Sequence, residues 1–323
     1  MQQQKSKQKF TEIIGWRKQR NKWKNTYEVP GNRYEIAYKV CEKWRTRRES
    51  SLGENLIEAI KAVLGLEDSH PIIQTWKKAY QEIADVFIQV EKDIYSKMLW
   101  EGFQPFKIEK IEQLSSDIKA FTVVSDQYDL SQFTPGEYIT VDVSSEKMPY
   151  RAKRHYSIVS GDNNHLTFAV KRDVSTDHEG EVSTILHDEL KEGNDINLSA
   201  PVGPFGVVNQ EQPQLFIGAG IGVTPLVSMF DEIAENGSHA QFIQVTGDVN
   251  DTPFTSHLKD ISKRYDKAKY ELYDRQAKGY LTKETLENYV NNDSEVYVCG
   301  SAKFIQSVIE LLKEIGISQE HIH

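Results

Sequence analysis

Two hydrophobic periods divide the chain. From Gly53 to Trp100 apolar residues recur every three or four positions, and after Gly102 they alternate. Leu56, Ile60, Val63 and Leu64 fall on one face of a first helix, with Gly65 near its end. Pro71 opens a longer helix in which Ile72, Trp76, Ala79, Tyr80, Ile83, Val86, Phe87, Val90, Ile94 and Met98 share a face. Two such helices hide one face only from each other, so they call for further helices to complete a core.

The alternating segments are FKIEKIEQ, IKAFTVVS, EYITVDV, RHYSIVS, HLTFAVK and, after one helix at Glu181–Leu190, NDINLSAP. Short strands separated by polar turns, with a single helix among them, predict a small antiparallel barrel. From Gln214 the pattern changes again. QLFIGAG, QFIQV, KYELY and EVYVCG alternate with helical stretches at VTPLVSMFDEIAE, near Thr255–Tyr265, at Lys283–Val290 and at KFIQSVIELLKEIG. That order predicts a parallel sheet covered by helices.

Composition narrows the class. At 323 residues, with 38% apolar positions, the chain has room for two or three cores. The two cysteines, Cys41 and Cys299, make neither a disulfide framework nor a zinc cluster. The apolar run Leu215–Phe230 is cut by Gly218, Gly220, Gly222 and Pro225, so it is no membrane span, and MQQQKSKQKF has no apolar core behind its charges. Together these favour a cytoplasmic protein. The net charge of −9 is uneven: residues 1–50 carry 14 Lys+Arg against 5 Asp+Glu. A basic arm can bind nucleic acid or an acidic membrane. However, Trp16, Trp23 and Trp44 lie scattered among charges with no single charged stripe, so neither partner is expected.

The sharpest chemical signal is GAGIGVTP, Gly218–Pro225, at a strand end that opens a helix. Glycines let the backbone approach a pyrophosphate, and the helix N-terminus offers free N–H groups and a positive dipole end. A glycine-rich turn is also an ordinary exit from a strand. Arg154-His155-Tyr156-Ser157 adds a phosphate clamp, a flat aromatic surface and a hydroxyl on one barrel strand. Gly180, Glu181, Val182, Ser183 and Thr184 open the barrel's helix as a second anion-binding N-terminus. Two phosphate cradles suggest two nucleotides. No Ser/His/Asp set or metal-ligand spacing competes with this.

RHYS, GEVST, PVGPFG, GAGIGVTP and YVCGSAKF, in this order, resemble the ferredoxin-NADP reductase superfamily. FTPGEYITVDV, PYRAKRHYSIVS and the helix IIQTWKKAYQEIADVFIQVEKDIY resemble one branch of it, the bacterial flavohaemoglobins or nitric oxide dioxygenases. The resemblance covers residues 53–323 and is strongest from 103 onward. It implies a multi-domain α+β and α/β fold: a basic segment over 1–52, globin-like remnant helices over 53–101, an FAD-binding β-barrel over 102–208 and an NAD(P)-binding domain over 209–323. It implies that Tyr138, Arg154, His155, Tyr156 and Ser157 bind FAD, with Tyr156 and Ser157 near the reacting ring. It assigns the FAD pyrophosphate to Gly180–Ser183. It gives the NAD(P)H pyrophosphate to Gly220, Ile221, Gly222, Val223, Thr224 and Pro225, and sets Cys299 and Gly300 beside the nicotinamide. VTGDVNDTPF, Val245–Phe254, carries Asp248 and Asp251 and no cation, which leans towards NADH, while Arg275 keeps NADPH open.

The family's remaining cofactor is haem b, held by a proximal histidine in an A-Y-K-H-C motif. This chain reads Ala37-Tyr38-Lys39-Val40-Cys41, and no histidine precedes His70. Valine cannot ligate iron. Cys41, offset by one residue, would point elsewhere on a helix. The family's tyrosine near the V-G-E-N-L motif is missing from RRESSLGENL, while its glutamate is expected at Glu91. The family continues beyond His321-Ile322-His323 with a strand and an aromatic cover, so FAD is expected to be held loosely. The leading expectation is an NAD(P)H:FAD oxidoreductase that passes single electrons to small acceptors such as oxygen. The alternatives are a working nitric oxide dioxygenase with an unforeseen haem ligand, and a non-catalytic remnant or basic-arm binding protein.

Overall fold

A computed structural model describes residues 48–323 apart from Lys147, Pro149, 175–179 and 291–292. The described residues fall in two compact units, 48–86 with 146–150, and 87–145 with 151–323. The expectations for Val40 and Cys41 lie outside the described residues, as does the side chain of Glu91.

Helix α1 spans Arg48–Leu64 and α2 spans Pro71–Tyr95. Helix α1 therefore starts five residues before the expected Gly53. Gly53 lets the two helices approach, since a Cβ there would run into the Tyr80 ring. His70 closes the start of α2: its Nδ1 accepts the Ile72 N–H at 3.2 Å. The apolar stripe of α2 is real, but among the described residues little covers it. Ile72, Trp76, Ile83 and Val86 are exposed, and Phe87 is 71% exposed. Among the described residues no helix is long and apolar enough to cross a membrane.

The second unit holds a closed barrel of β1 (Phe103–Ser115), β2 (Ile118–Val124), β3 (Tyr138–Val143), β4 (Ala152–Gly161), β5 (His165–Lys171) and β6 (Asp195–Ser199). Its order is β1-β2-β5-β4-β3-β6, with every paired strand antiparallel, which closes the sheet without a free edge. Phe121 and Phe168 stack inside it at 5.5 Å. The Trp100 indole N–H, buried at the chain's entry, donates to the Leu198 carbonyl at 3.1 Å. Helix α3, Glu181–Asp188, is the expected barrel helix.

The parallel sheet follows as β7 (Gln214–Ala219), β8 (Ala240–Thr246), β9 (Ala268–Asp274) and β10 (Glu295–Cys299), in the order β10-β7-β8-β9. Strands β7, β8 and β10 are mostly buried because both faces are covered, while the edge strand β9, AKYELYD, is buried only at Ala268 and Tyr273. Helix α4, Thr224–Glu235, follows a short 3₁₀ turn at Gly220–Val223; α5 is Thr255–Arg264, α6 Arg275–Lys278, α7 Lys283–Leu286 and α8 Ala302–Ile315. Helix α7 is half the length expected from Lys283–Val290. The Asn288 side-chain amide donates to the Glu284 carbonyl at 2.9 Å, taking the acceptor that the next turn would have used. Ile322 pairs in parallel with Val296, and the His323 N–H donates to the Val296 carbonyl at 2.8 Å, so the last residues lie along β10.

Helix α4 joins the two halves of this unit. Its Leu226, Met229, Phe230 and Ile233 share one core with Phe216 and Phe242 of the sheet and with Ile118, Val159 and Ala169 of the barrel. Two polar contacts fix the same seam. The Gly136 N–H donates to Ser228 Oγ at 3.3 Å, and the Ser116 N–H donates to Asp251 Oδ1 at 2.6 Å, with the Ser116 hydroxyl on Oδ2.

Candidate functional site

On the barrel, the β3–β4 register gathers residues far apart in sequence. Tyr138 pairs with Ser157, Ile139 with Tyr156, Thr140 with His155 and Val141 with Arg154. Tyr138 and His155 therefore share a face, their rings 4.7 Å apart, and His155 Nδ1 lies 2.8 Å from Thr140 Oγ1. Tyr156 stacks against Phe168 at 5.7 Å. Burial raises its phenol well above the ordinary tyrosine value, only partly opposed by the Arg154 charge. It is a protonated donor throughout the neutral range. Arg154 is exposed, with Nη1 donating to the Lys153 carbonyl at 2.8 Å.

PVGPFG packs beside this face. Gly203 has φ +146°, and a Cβ there would sit 3.2 Å from the Tyr138 ring. Sequence reasoning recognised this motif but assigned its glycine no role.

The second expected cradle is the start of α3. Gly180 is the N-cap and supplies no side chain. The Gly180 N–H donates to the Asp173 carbonyl at 2.9 Å. The Ser183 hydroxyl donates to the Gly180 carbonyl at 2.9 Å and accepts the Asp173 N–H at 3.1 Å. Ser183 is thus a clamp on the loop, and only its backbone is left for a ligand. Val182 is buried, so it too can contribute only backbone. The next residue, Thr184, closes the expected stretch, and its Oγ1 is buried with no hydrogen-bond partner among the described residues. A buried orphan hydroxyl in the first turn of an uncapped helix fits a phosphate oxygen.

On the sheet, β7 and β10 run in parallel register that sets Gly218 opposite Cys299. A Cβ on Gly222 would lie 2.7 Å from the Gly300 Cα and N. Only glycine permits that approach, so GAGIGVTP and YVCGS form one surface. Gly220 has φ +59° and open space where a side chain would be. Neither the 3₁₀ turn nor α4 has a side-chain cap, whereas α6, α7 and α8 are capped by Asp274, Thr282 and Ser301. Helix α5 lacks such a cap as well, with Phe254 at its start. Val223 and Thr224 point into the core, the Thr224 hydroxyl donating to the Ile221 carbonyl at 3.0 Å. The Thr224 N–H donates to the same carbonyl, so Thr224 leaves no free main-chain donor at this turn.

Cys299 is half-buried at the same place. Burial pushes its thiol up, against a smaller opposite effect from the Gly300 N–H. It is a neutral, compact wall and a poor nucleophile. Beyond the turn opens a cleft of about 490 Å³ lined by Gly220, Thr246, Gly247, Arg275, Tyr280 and Lys303, among others.

The described residues contain no cluster of three or more His, Cys, Asp or Glu side chains able to hold a metal.

The comparisons agree with this geometry. Residues 105–206 match the oxidoreductase FAD-binding domain, and residues 216–310 match the oxidoreductase NAD-binding domain. The chain is 31% identical over 291 residues to a flavohemoprotein of Oceanobacillus iheyensis, covering 84% of this chain and 72% of that protein. It is likewise 31% identical over 294 residues to the flavohemoprotein of Bacillus subtilis, with the same coverage. Among solved structures it resembles the flavohem-like FAD/NAD binding domain of a nitric oxide dioxygenase from Vibrio cholerae (TM-score 0.63, 26% identity), covering 68% of this chain and 96% of that one. A flavohemoglobin from Malassezia yamatoensis with bound FAD and heme shares the fold at 22% identity (TM-score 0.68), covering 91% of this chain and 80% of that one. A barrel that binds FAD, a parallel sheet that binds NAD and sequence identity to curated flavohaemoproteins lead to one conclusion: the chain belongs to the flavohaemoprotein family and carries its FAD- and NAD-binding oxidoreductase module.

Proposed function

We propose that this chain is an NAD(P)H-dependent FAD reductase of the flavohaemoprotein type that delivers electrons to small external acceptors because its own haem site is lost. The supporting observation is the glycine contact of Gly222 on Gly300, beside the open, positive-φ Gly220 at an uncapped helix start. The same compact unit carries the Tyr138–Ser157 face. Residues 102–208 then form the flavin barrel and 209–323 the nicotinamide domain.

FAD, when bound, accepts a hydride from NAD(P)H and hands on its two electrons singly. The protein supplies position. Backbone N–H groups of Glu181–Ser183, with the Thr184 hydroxyl, would hold the FAD pyrophosphate, and Arg154 a phosphate from the barrel side. The Tyr156 phenol, kept protonated by burial, and the Ser157 hydroxyl would donate to the flavin ring, and Tyr138 would pack against it. Gly220–Val223 would bind the dinucleotide pyrophosphate through main-chain N–H groups, with Thr224 and Pro225 fixing the start of α4 behind them. Cys299 and Gly300 would leave room for the nicotinamide.

The residues present do not fit haem. Val40 stands where the resemblance expects the ligand. The first histidine, His70, uses Nδ1 to accept a backbone N–H. An iron-bound imidazole carries its proton on that nitrogen and donates from it. Protein incubated with FAD and hemin is expected to be yellow, to lack a Soret band and to oxidise NAD(P)H with a ferric chelate as acceptor. A Soret band with nitric oxide consumption would restore the dioxygenase reading. Flavin-free, colourless protein would make it a remnant.

A further inference from the structure

We propose that the cleft beside Gly220 is built for an adenosine carrying a 2′-phosphate, so that this chain uses NADPH in preference to NADH. The proposal rests on reading the Gly220–Pro225 turn as the dinucleotide pyrophosphate site, since the cleft begins at Gly220. Its volume of about 490 Å³ lies within the usual range for small-molecule sites.

The charged groups lining it are Arg275 and Lys303. Arg275 opens α6, at the carboxyl end of β9, and its guanidinium lies over Gly247: a Cβ there would be 3.1 Å from Nη2. Its Cζ is 5.4 Å from the ring centroid of Tyr280, a side chain 77% exposed at the cleft. Lys303 approaches from the first turn of α8. Among the described residues neither cation has a carboxylate within salt-bridge distance. By contrast the neighbouring Lys278, outside the cleft, is paired with Glu271 at 2.7 Å.

The acidic residues that favoured NADH in the sequence are turned to other tasks. Asp248 accepts the Asn250 N–H at 2.9 Å within its own turn. Asp251 is committed to Ser116 of the barrel. Asp274, beside Arg275, caps α6 by accepting the Gln276 and Ala277 N–H groups at 2.8 and 3.2 Å. No carboxylate therefore lines the cleft to take a ribose 2′-hydroxyl, while two cations remain for a phosphate. The guanidinium fork can bind phosphate by two parallel donors, and the Tyr280 face can support adenine.

The test is calorimetric titration of the FAD-loaded protein with adenosine 2′,5′-bisphosphate and with adenosine 5′-monophosphate. The bisphosphate is expected to bind roughly tenfold tighter or better at low ionic strength, with the advantage shrinking as salt rises. The advantage grows as pH passes upward through about 6, where the phosphate gains its second charge. The double variant Arg275→Gln/Lys303→Gln brings the two ligands within about twofold of each other, and Lys278→Gln keeps the wild-type ratio. Equal binding of both ligands, or a preference that survives the double variant, overturns the proposal while leaving the dinucleotide site intact. Failure of both ligands and of NADH and NADPH to bind would overturn the underlying site reading as well.

Discussion

Helix α2 and helix α4 are both amphipathic, and their fates differ. Helix α4 buries Leu226, Met229, Phe230 and Ile233 between a sheet and a barrel, and Phe230 meets Phe242 edge to face at 5.4 Å. Helix α2 carries as strong an apolar period but leaves Trp76, Ile83, Val86 and Phe87 exposed. A hydrophobic period says which face must be covered. It does not say that anything covers it. The reductase half therefore holds its own core, while the helical half shows an apolar face with no occupant among the described residues.

Substitution can break this comparison. Phe230→Ala is expected to cost about 3–5 kcal/mol in denaturant unfolding, because it empties a packed core, whereas Phe87→Ala should change stability by no more than about 0.5 kcal/mol. A large loss at Phe87 would mean that its face is covered after all.

Gly222→Ala comes next. Its Cβ has no room beside Gly300, so a cost of about 1–3 kcal/mol is expected. Displacement of the turn should also lower NAD(P)H-driven turnover by about a hundredfold, while FAD content stays at the wild-type level. Loss of FAD with unchanged nucleotide dependence would contradict the division between barrel and sheet.

The smallest effect concerns pH. His187, in α3, donates from Nε2 to the Val170 carbonyl at 2.9 Å, and burial lowers its pKa. A depressed folded-state value means that the unfolded chain binds the proton more readily below the ordinary imidazole value of about 6.5, so stability falls as pH drops through that range. The slope from one such group is at most about 1.4 kcal/mol per pH unit. His187→Gln keeps a donor and removes the titration. Equilibrium unfolding between neutral and mildly acid pH should show a flatter slope in the variant. An unchanged slope would assign the acid sensitivity elsewhere.

What the sequence made legible follows from range. Arg154 to Ser157 lie side by side on one strand and were visible as a motif, as was Gly218–Pro225. The pairing of Tyr138 with Ser157 and the approach of Gly222 to Gly300 depend on register and topology, which no local pattern contains. The barrel and the parallel sheet were readable because the period switches at Gly102 and the alternation begins at Gln214. Helix α7 was overestimated because one asparagine side chain competes with the backbone. Residue type alone showed the carboxylates of Asp248 and Asp251 but not their partners. Arg275 and Lys303 come together only because a four-residue helix and the start of α8 flank the same cleft.

The central claim is that the barrel and sheet form a working flavin reductase without a haem partner. Anaerobic titration of the FAD- and hemin-incubated full chain with NADPH tests it most directly, with flavin and Soret absorbance read in the same cuvette. The expected result is bleaching of the bound flavin by one equivalent of nucleotide, with no Soret band present. Flavin that stays oxidised, or a stoichiometric Soret band that shifts as electrons arrive, would contradict the account.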